Sequence, residues 1–202
     1  MAARVDFWFE FASTYSYLSA MRIDAEARRR GVDVVWRPFL LGPIFASQGW
    51  NTSPFAIYPA KGRNMWRDME RRTEKYGLPF GRPDKGDAGR FPQNSVLAAR
   101  VALVGLDAGW GEDFARGVYT AQFGEGAGIA DPEILRPLIA QAGGDPDLAF
   151  TAAVAPENKG RLRANVEEAI AKHLYGAPSF TVGEELFWGD DRLEDALDWA
   201  AR

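Results

Sequence analysis

Residues Val5-Asp6-Phe7-Trp8-Phe9-Glu10-Phe11 are apolar at most positions and run almost directly into Ser13-Thr14-Tyr15-Ser16. A run that alternates so loosely reads as a mostly buried strand. Tyr17, Leu18, Met21, Ile23 and Ala27 then recur at helical spacing, and Ser13 or Ser16 can cap that helix. Arg28-Arg29-Arg30-Gly31 sets cations at the negative pole of the helix and a glycine at its end. Residues 32–39 form a second strand, closed by Pro38. Strand, helix and strand in forty residues demand a parallel pair joined by a right-handed crossover.

Beyond this unit the character changes. Leu40-Leu41-Gly42-Pro43 ends the strand, and residues 48–59 hold the turn formers Gly49, Asn51, Ser53, Pro54 and Pro59. Helical periodicity follows over 65–75, 95–105, 112–122, 132–142 and 158–174, with a surface loop over 81–90. Strand character returns at 179–182 and 185–188, linked by Gly183-Glu184, which suits a type II′ or I′ hairpin. Asp190 or Asp191 then caps a last helix carrying Leu193, Ala196, Leu197 and Trp199. The order βαβ, helices, ββα predicts an α/β chain. Residues 1–41 and 175–202 form a thioredoxin-like domain, and an all-helical domain, 42–174, is inserted in its middle.

In a redox member of that fold the turn after the first strand carries two cysteines. Here the two positions are Ser13 and Ser16, and the 202-residue chain has no cysteine. Thiol–disulfide chemistry by the protein itself is excluded, as are disulfides and thiolate metal sites. Any thiol must come from a ligand. A lone histidine, His173, argues against a histidine metal site or a Ser-His-Asp triad, and reads as a dipole partner near a helix end. The net charge of −4 gives no electrostatic case for nucleic acid. The chain shows no signal-peptide pattern and no apolar run long enough to span a membrane, so a cytoplasmic protein is the expectation.

Several groups can carry chemistry, and each has a plain alternative. Ser13 opens a helix, where positive potential favours a thiolate and a hydroxyl can donate to a ligand's sulfur; it can equally be only a cap. Pro178, in Gly176-Ala177-Pro178-Ser179-Phe180, begins a strand. In cis it turns the Ala177 backbone toward a peptide ligand; in trans it is structural. The carboxylates of Phe187-Trp188-Gly189-Asp190-Asp191-Arg192 can hold an ammonium or cap the last helix. Asn51, Lys61 and Arg63 can bind a carboxylate or belong to a solvated loop. Phe91-Pro92-Gln93-Asn94-Ser95 reads as a helix start with Asn94 as cap.

Taken together, these residues resemble the 2-hydroxychromene-2-carboxylate isomerase family, within the DsbA-like branch that also holds kappa-class glutathione transferases. The resemblance rests on residues 7–18, 51–62, 91–95, 175–178 and 187–192, in that order along nearly the whole chain. It implies a homodimer that binds glutathione between its two domains. Ser13 falls on the serine that hydrogen-bonds the glutathione sulfur. Ala177, before the expected cis Pro178, falls on the residue that clasps the tripeptide through its backbone. Asp190 and Asp191 fall where the γ-glutamyl end is held, and Arg192 completes that motif. Asn51 and Lys61 match polar positions near the ligand carboxylates and the substrate. Thr14 stands where the family usually has proline.

The implied reaction interconverts 2-hydroxychromene-2-carboxylate and trans-o-hydroxybenzylidenepyruvate, or a similar unsaturated ketoacid, as in naphthalene breakdown. Its chemistry is covalent catalysis by a borrowed nucleophile: thiolate addition to the conjugated carbon, rotation about the new single bond, and elimination. A kappa-like glutathione transferase needs the same residues and differs in releasing the adduct. A non-enzymatic peptide- or thiol-binding module on the same scaffold is the reading from another class.

Overall fold

A computed structural model describes residues 3–84 and 91–202, and in it β1 (Arg4–Phe9) is the centre of a four-stranded sheet. β1 pairs in parallel with β2 (Asp33–Pro38), Phe7 beside Trp36, and antiparallel with β3 (Ser179–Val182), Phe7 beside Phe180. β4 (Glu185–Trp188) completes the order β2-β1-β3-β4. Phe7 and Phe9 pack against Trp36 and Phe180 in one core; Trp8 joins a second core with Phe39, Ile44 and Leu174. Burial on both faces is why β1 lacks strict alternation, and each buried phenylalanine contributes about 1.5–3 kcal/mol. Gly183 alone in the hairpin has positive φ, 58°, which fits the II′ alternative.

The expected first helix is two: α1 (Thr14–Ala20) and α2 (Ile23–Arg30). The break at Met21–Arg22 sends the Arg22 guanidinium to Asp190 and Glu194, partners that helical spacing does not announce. Residues 41–59, read as strand end and turns, contain α3 (Leu41–Ser47) and α4 (Pro54–Ile57), whose Ser53 cap accepts from Phe55 N–H. α5 (Pro59–Tyr76) begins six residues earlier than its periodicity implied, because Pro59 is pre-set for a first helical position. Lys61 and Arg63 therefore stand on a helix, not a loop.

α6 (Val96–Ala108), α7 (Gly111–Tyr119) with a following π-turn (Thr120–Gly124), and α8 (Pro132–Gln141) match the expected segments. α9 (Pro146–Val154) was not expected; Asp145 caps it and Pro146 opens it. α10 (Pro156–Ala171) ends before His173, which is the left-handed residue that terminates the helix (φ 59°) rather than part of its last turn. Asp190–Arg192 forms a 3-10 turn into α11 (Leu193–Ala200), and neither Asp190 nor Asp191 caps it. The loop expected over 81–90 is described only to Asp84; residues 85–90 lie outside the described residues.

Candidate functional site

The site begins where β1 hands over to α1. Ser13 is the cap: its Oγ accepts the Ser16 N–H at 3.2 Å. The same hydroxyl donates to the Ala177 carbonyl at 2.7 Å, across 164 residues of sequence. The Ala177–Pro178 bond is cis, as is Phe91–Pro92, in a segment whose sequence suits an ordinary helix start. Ser179 Oγ donates to Gly176 C=O and Gly189 N–H to Pro178 C=O, so the proline loop is pinned on both sides. A Cβ on Gly176 would overlap the Trp188 indole, which is why glycine stands there.

A cavity of about 960 Å³ opens from this contact. Ser13, Asn51, Lys61, Ala177, Asp190 and Asp191 all line it. Pro178, expected at the site, is not a lining residue; its bond to the lining Ala177 is cis. Arg192 does not line the cavity; it pairs with Asp195 at 2.8 Å and Asp191 at 3.3 Å. Arg63 is not a lining residue either. Phe45, Trp50, Phe55 and Phe91 make much of the wall aromatic, and the half-exposed Tyr175 and Trp188 pack together at 4.9 Å between ring centres. Such a volume with apolar walls and a few polar groups suits a small organic ligand.

The two adjacent aspartates differ sharply. Asp190 is 2% exposed and its oxygens are occupied. Oδ1 accepts from Ser19 Oγ and Arg22, both at 2.9 Å, and Oδ2 from Arg72 at 2.5 Å. The Asp191 side chain is 61% exposed and meets only Arg192 among the ion pairs of the described residues. The Asp191 carboxylate is thus open to the cavity and solvent, while Asp190 is engaged by the protein itself.

Among the lining residues given no role from sequence are Glu10, Tyr15, Asp68 and Arg72. The Tyr15 hydroxyl donates to Asp68 at 3.0 Å, and burial, followed by the Asp68 charge, pushes its pKa far above the usual tyrosine range. Arg72 also donates to Tyr76 Oη at 2.9 Å. Asp68, Arg72 and Tyr76 recur every four residues, so they share one face of α5, a signal the sequence did contain. Glu10 is 5% exposed; its signal is an acid inside an otherwise apolar run.

A model of the DSBA-like thioredoxin domain matches residues 4–198. The chain belongs to that family. This DSBA-like chain is 29% identical over 195 residues to the 2-hydroxychromene-2-carboxylate isomerase of Sphingobium xenophagum, covering 96% of each. It is 25% identical to glutathione S-transferase kappa 2 of Caenorhabditis elegans, covering 98% of this chain and 91% of that one. Among solved structures, a 2-hydroxychromene-2-carboxylate isomerase superposes with a TM-score of 0.84 at 22% identity, over 98% of this chain and 93% of the other. That likeness speaks for the shared fold. The relatives of this DSBA-like domain thus include isomerases and a transferase, matched along nearly its full length.

Proposed function

We propose that this chain is a glutathione-dependent isomerase that interconverts 2-hydroxychromene-2-carboxylate and trans-o-hydroxybenzylidenepyruvate, or a similar unsaturated aromatic ketoacid. The observation that carries this reading is the Ser13 hydroxyl seated on the Ala177 carbonyl at the wall of an aromatic cavity, in a chain without cysteine. The isomerase relatives support the reaction class. Residues 1–41 and 175–202, which hold the four strands of the sheet, are read as the glutathione-binding unit, with 42–174 inserted between them.

The residues fit the tripeptide. The Ala177 carbonyl, ahead of a cis proline, can accept a peptide N–H, Ser13 lies beside it to face a thiol, and exposed Asp191 can receive an ammonium. When bound, glutathione supplies the thiolate that adds to the conjugated carbon and later leaves it, so that a double bond is single while it turns. Ser13 has one proton to donate. Turned from the Ala177 carbonyl to the sulfur, that proton would favour the thiolate. Asn51 and Lys61 hold carboxylates, and the aromatic wall keeps water from the reacting carbons.

Calorimetric titration of glutathione into wild type and Ser13→Ala, with the bound thiol titrated by its ultraviolet absorbance, tests this. Saturable binding, a lowered thiol pKa in wild type alone, and isomer formation with glutathione undiminished are the expected results. No binding at millimolar glutathione sinks the reading and leaves a binding module. The kappa relative favours a transferase as second reading; stoichiometric loss of glutathione to a chloronitrobenzene would select it.

A further inference from the structure

Glu10 is a buried acid at the cavity wall that the proposed chemistry does not use. Its Oε1 accepts the Ala12 N–H at 3.1 Å and the Ser95 hydroxyl at 2.5 Å, and its Oε2 accepts the Leu41 N–H at 3.1 Å. Its backbone carbonyl accepts the Ser13 N–H at 2.9 Å and the Tyr119 hydroxyl at 3.0 Å. These contacts reach three separate parts of the wall. Ala12 immediately precedes Ser13; Leu41 opens α3, whose Gly42, Pro43 and Phe45 line the cavity; Ser95 opens α6 beside the cis Phe91–Pro92 loop.

Burying a carboxylate costs several kcal/mol, and an apolar side chain of like volume commonly serves stability as well or better. An apolar group accepts nothing, however, and an amide would turn an NH2 toward N–H donors. A carboxylate has about four acceptor positions, and three are filled by the protein, so little is left for a ligand. The arrangement is that of a frame rather than of a reacting group.

We propose that Glu10 is a positioning residue of this site: its carboxylate draws the turn before Ser13, the start of α3 and Ser95 together, and so sets the Ser13 hydroxyl against Ala177. Its effect on a bound thiol rests on the glutathione reading; its effect on the frame does not.

The test compares wild type, Glu10→Gln and Ser95→Ala by amide hydrogen exchange and by the kinetics and thiol titration of glutathione-bound protein. In E10Q the amides of Ala12 and Leu41 are expected to exchange faster, while those of α8 and α9 keep their rates. The thiol pKa is expected to rise toward that of Ser13→Ala, and kcat to fall on the order of 10- to 100-fold with a smaller change in KM. S95A, which removes one donor from the far end of the frame, gives a smaller change of the same kind and serves as the probe if E10Q does not fold. Unchanged exchange at Ala12 and Leu41 overturns the proposal. So does a folded E10Q with lowered stability but the wild-type thiol pKa and kcat, the outcome of a merely structural acid. If wild type binds no glutathione, the functional reading falls and amide exchange alone decides the role of Glu10.

Discussion

Ser13 joins two jobs in one hydroxyl: it caps α1 and it holds the proline loop. Removing it forfeits a cap worth about 1 kcal/mol and a tertiary hydrogen bond of similar size, so Ser13→Ala is expected to lose about 1–2 kcal/mol in denaturant unfolding. A binding loss is therefore to be read at a temperature where the variant is fully folded. Glu10 makes a pH-dependent difference of definite sign. Burial pushes its carboxyl up from the ordinary 4.5, against the pull of Ser95 and the backbone donors. A raised folded-state pKa stabilises the fold at low pH, and that stabilisation is lost as pH rises through the raised value. Relative to E10Q, the wild type should lose melting temperature as pH rises above about 4.5. A difference in melting temperature independent of pH would show that Glu10 titrates as in the unfolded chain.

Between elements, Asp190 is a dense polar link. It gathers Ser19 of α1, Arg22 at the break before α2, and Arg72 of α5 at the threshold of α11. Arg22 stacks over Tyr76 at 4.2 Å, which keeps the cluster closed. Asp190→Ala leaves Arg72 without its carboxylate and Arg22 with Glu194 alone. Breaking a buried pair costs about 3–5 kcal/mol, and the partial exposure of Arg22 and Arg72 places the expected loss near 3 kcal/mol in chemical unfolding. Packing sets a second constraint where α4 meets α5. A Cβ on Gly62 would overlap the Phe55 carbonyl oxygen, so Gly62→Ala must push the short helix off the long one. Overpacking of this kind costs about 1–3 kcal/mol, and because Phe55 lines the cavity, a weaker ligand fit should accompany the lowered melting temperature.

At the scale of the whole molecule, the cavity is built from parts far apart in the chain: the end of β1, the segment through α3 to α5, the start of α6, and the loops around β3 and β4. Local chemistry already determined much of this. The apolar run of β1, the helix-closing Gly31, the Gly183 hairpin and the want of cysteine are legible because each depends on neighbours a few residues away. Ser13, Asn51, Lys61, Ala177 and Asp191 were legible as residue types in a recognisable order, and all five line the same cavity. Only the tertiary structure separated Asp190, engaged by three side chains, from its exposed neighbour. It alone broke the first helix at Met21, brought Arg72 across to the last turn, and made Glu10 a frame. Those outcomes are set by hydrogen bonds and ion pairs between residues 31 to 172 positions apart, such as Glu10 with Leu41 and Arg22 with Glu194. A periodic pattern records which face of an element is buried. It does not record which distant donor that face will meet, because that is decided when the elements pack.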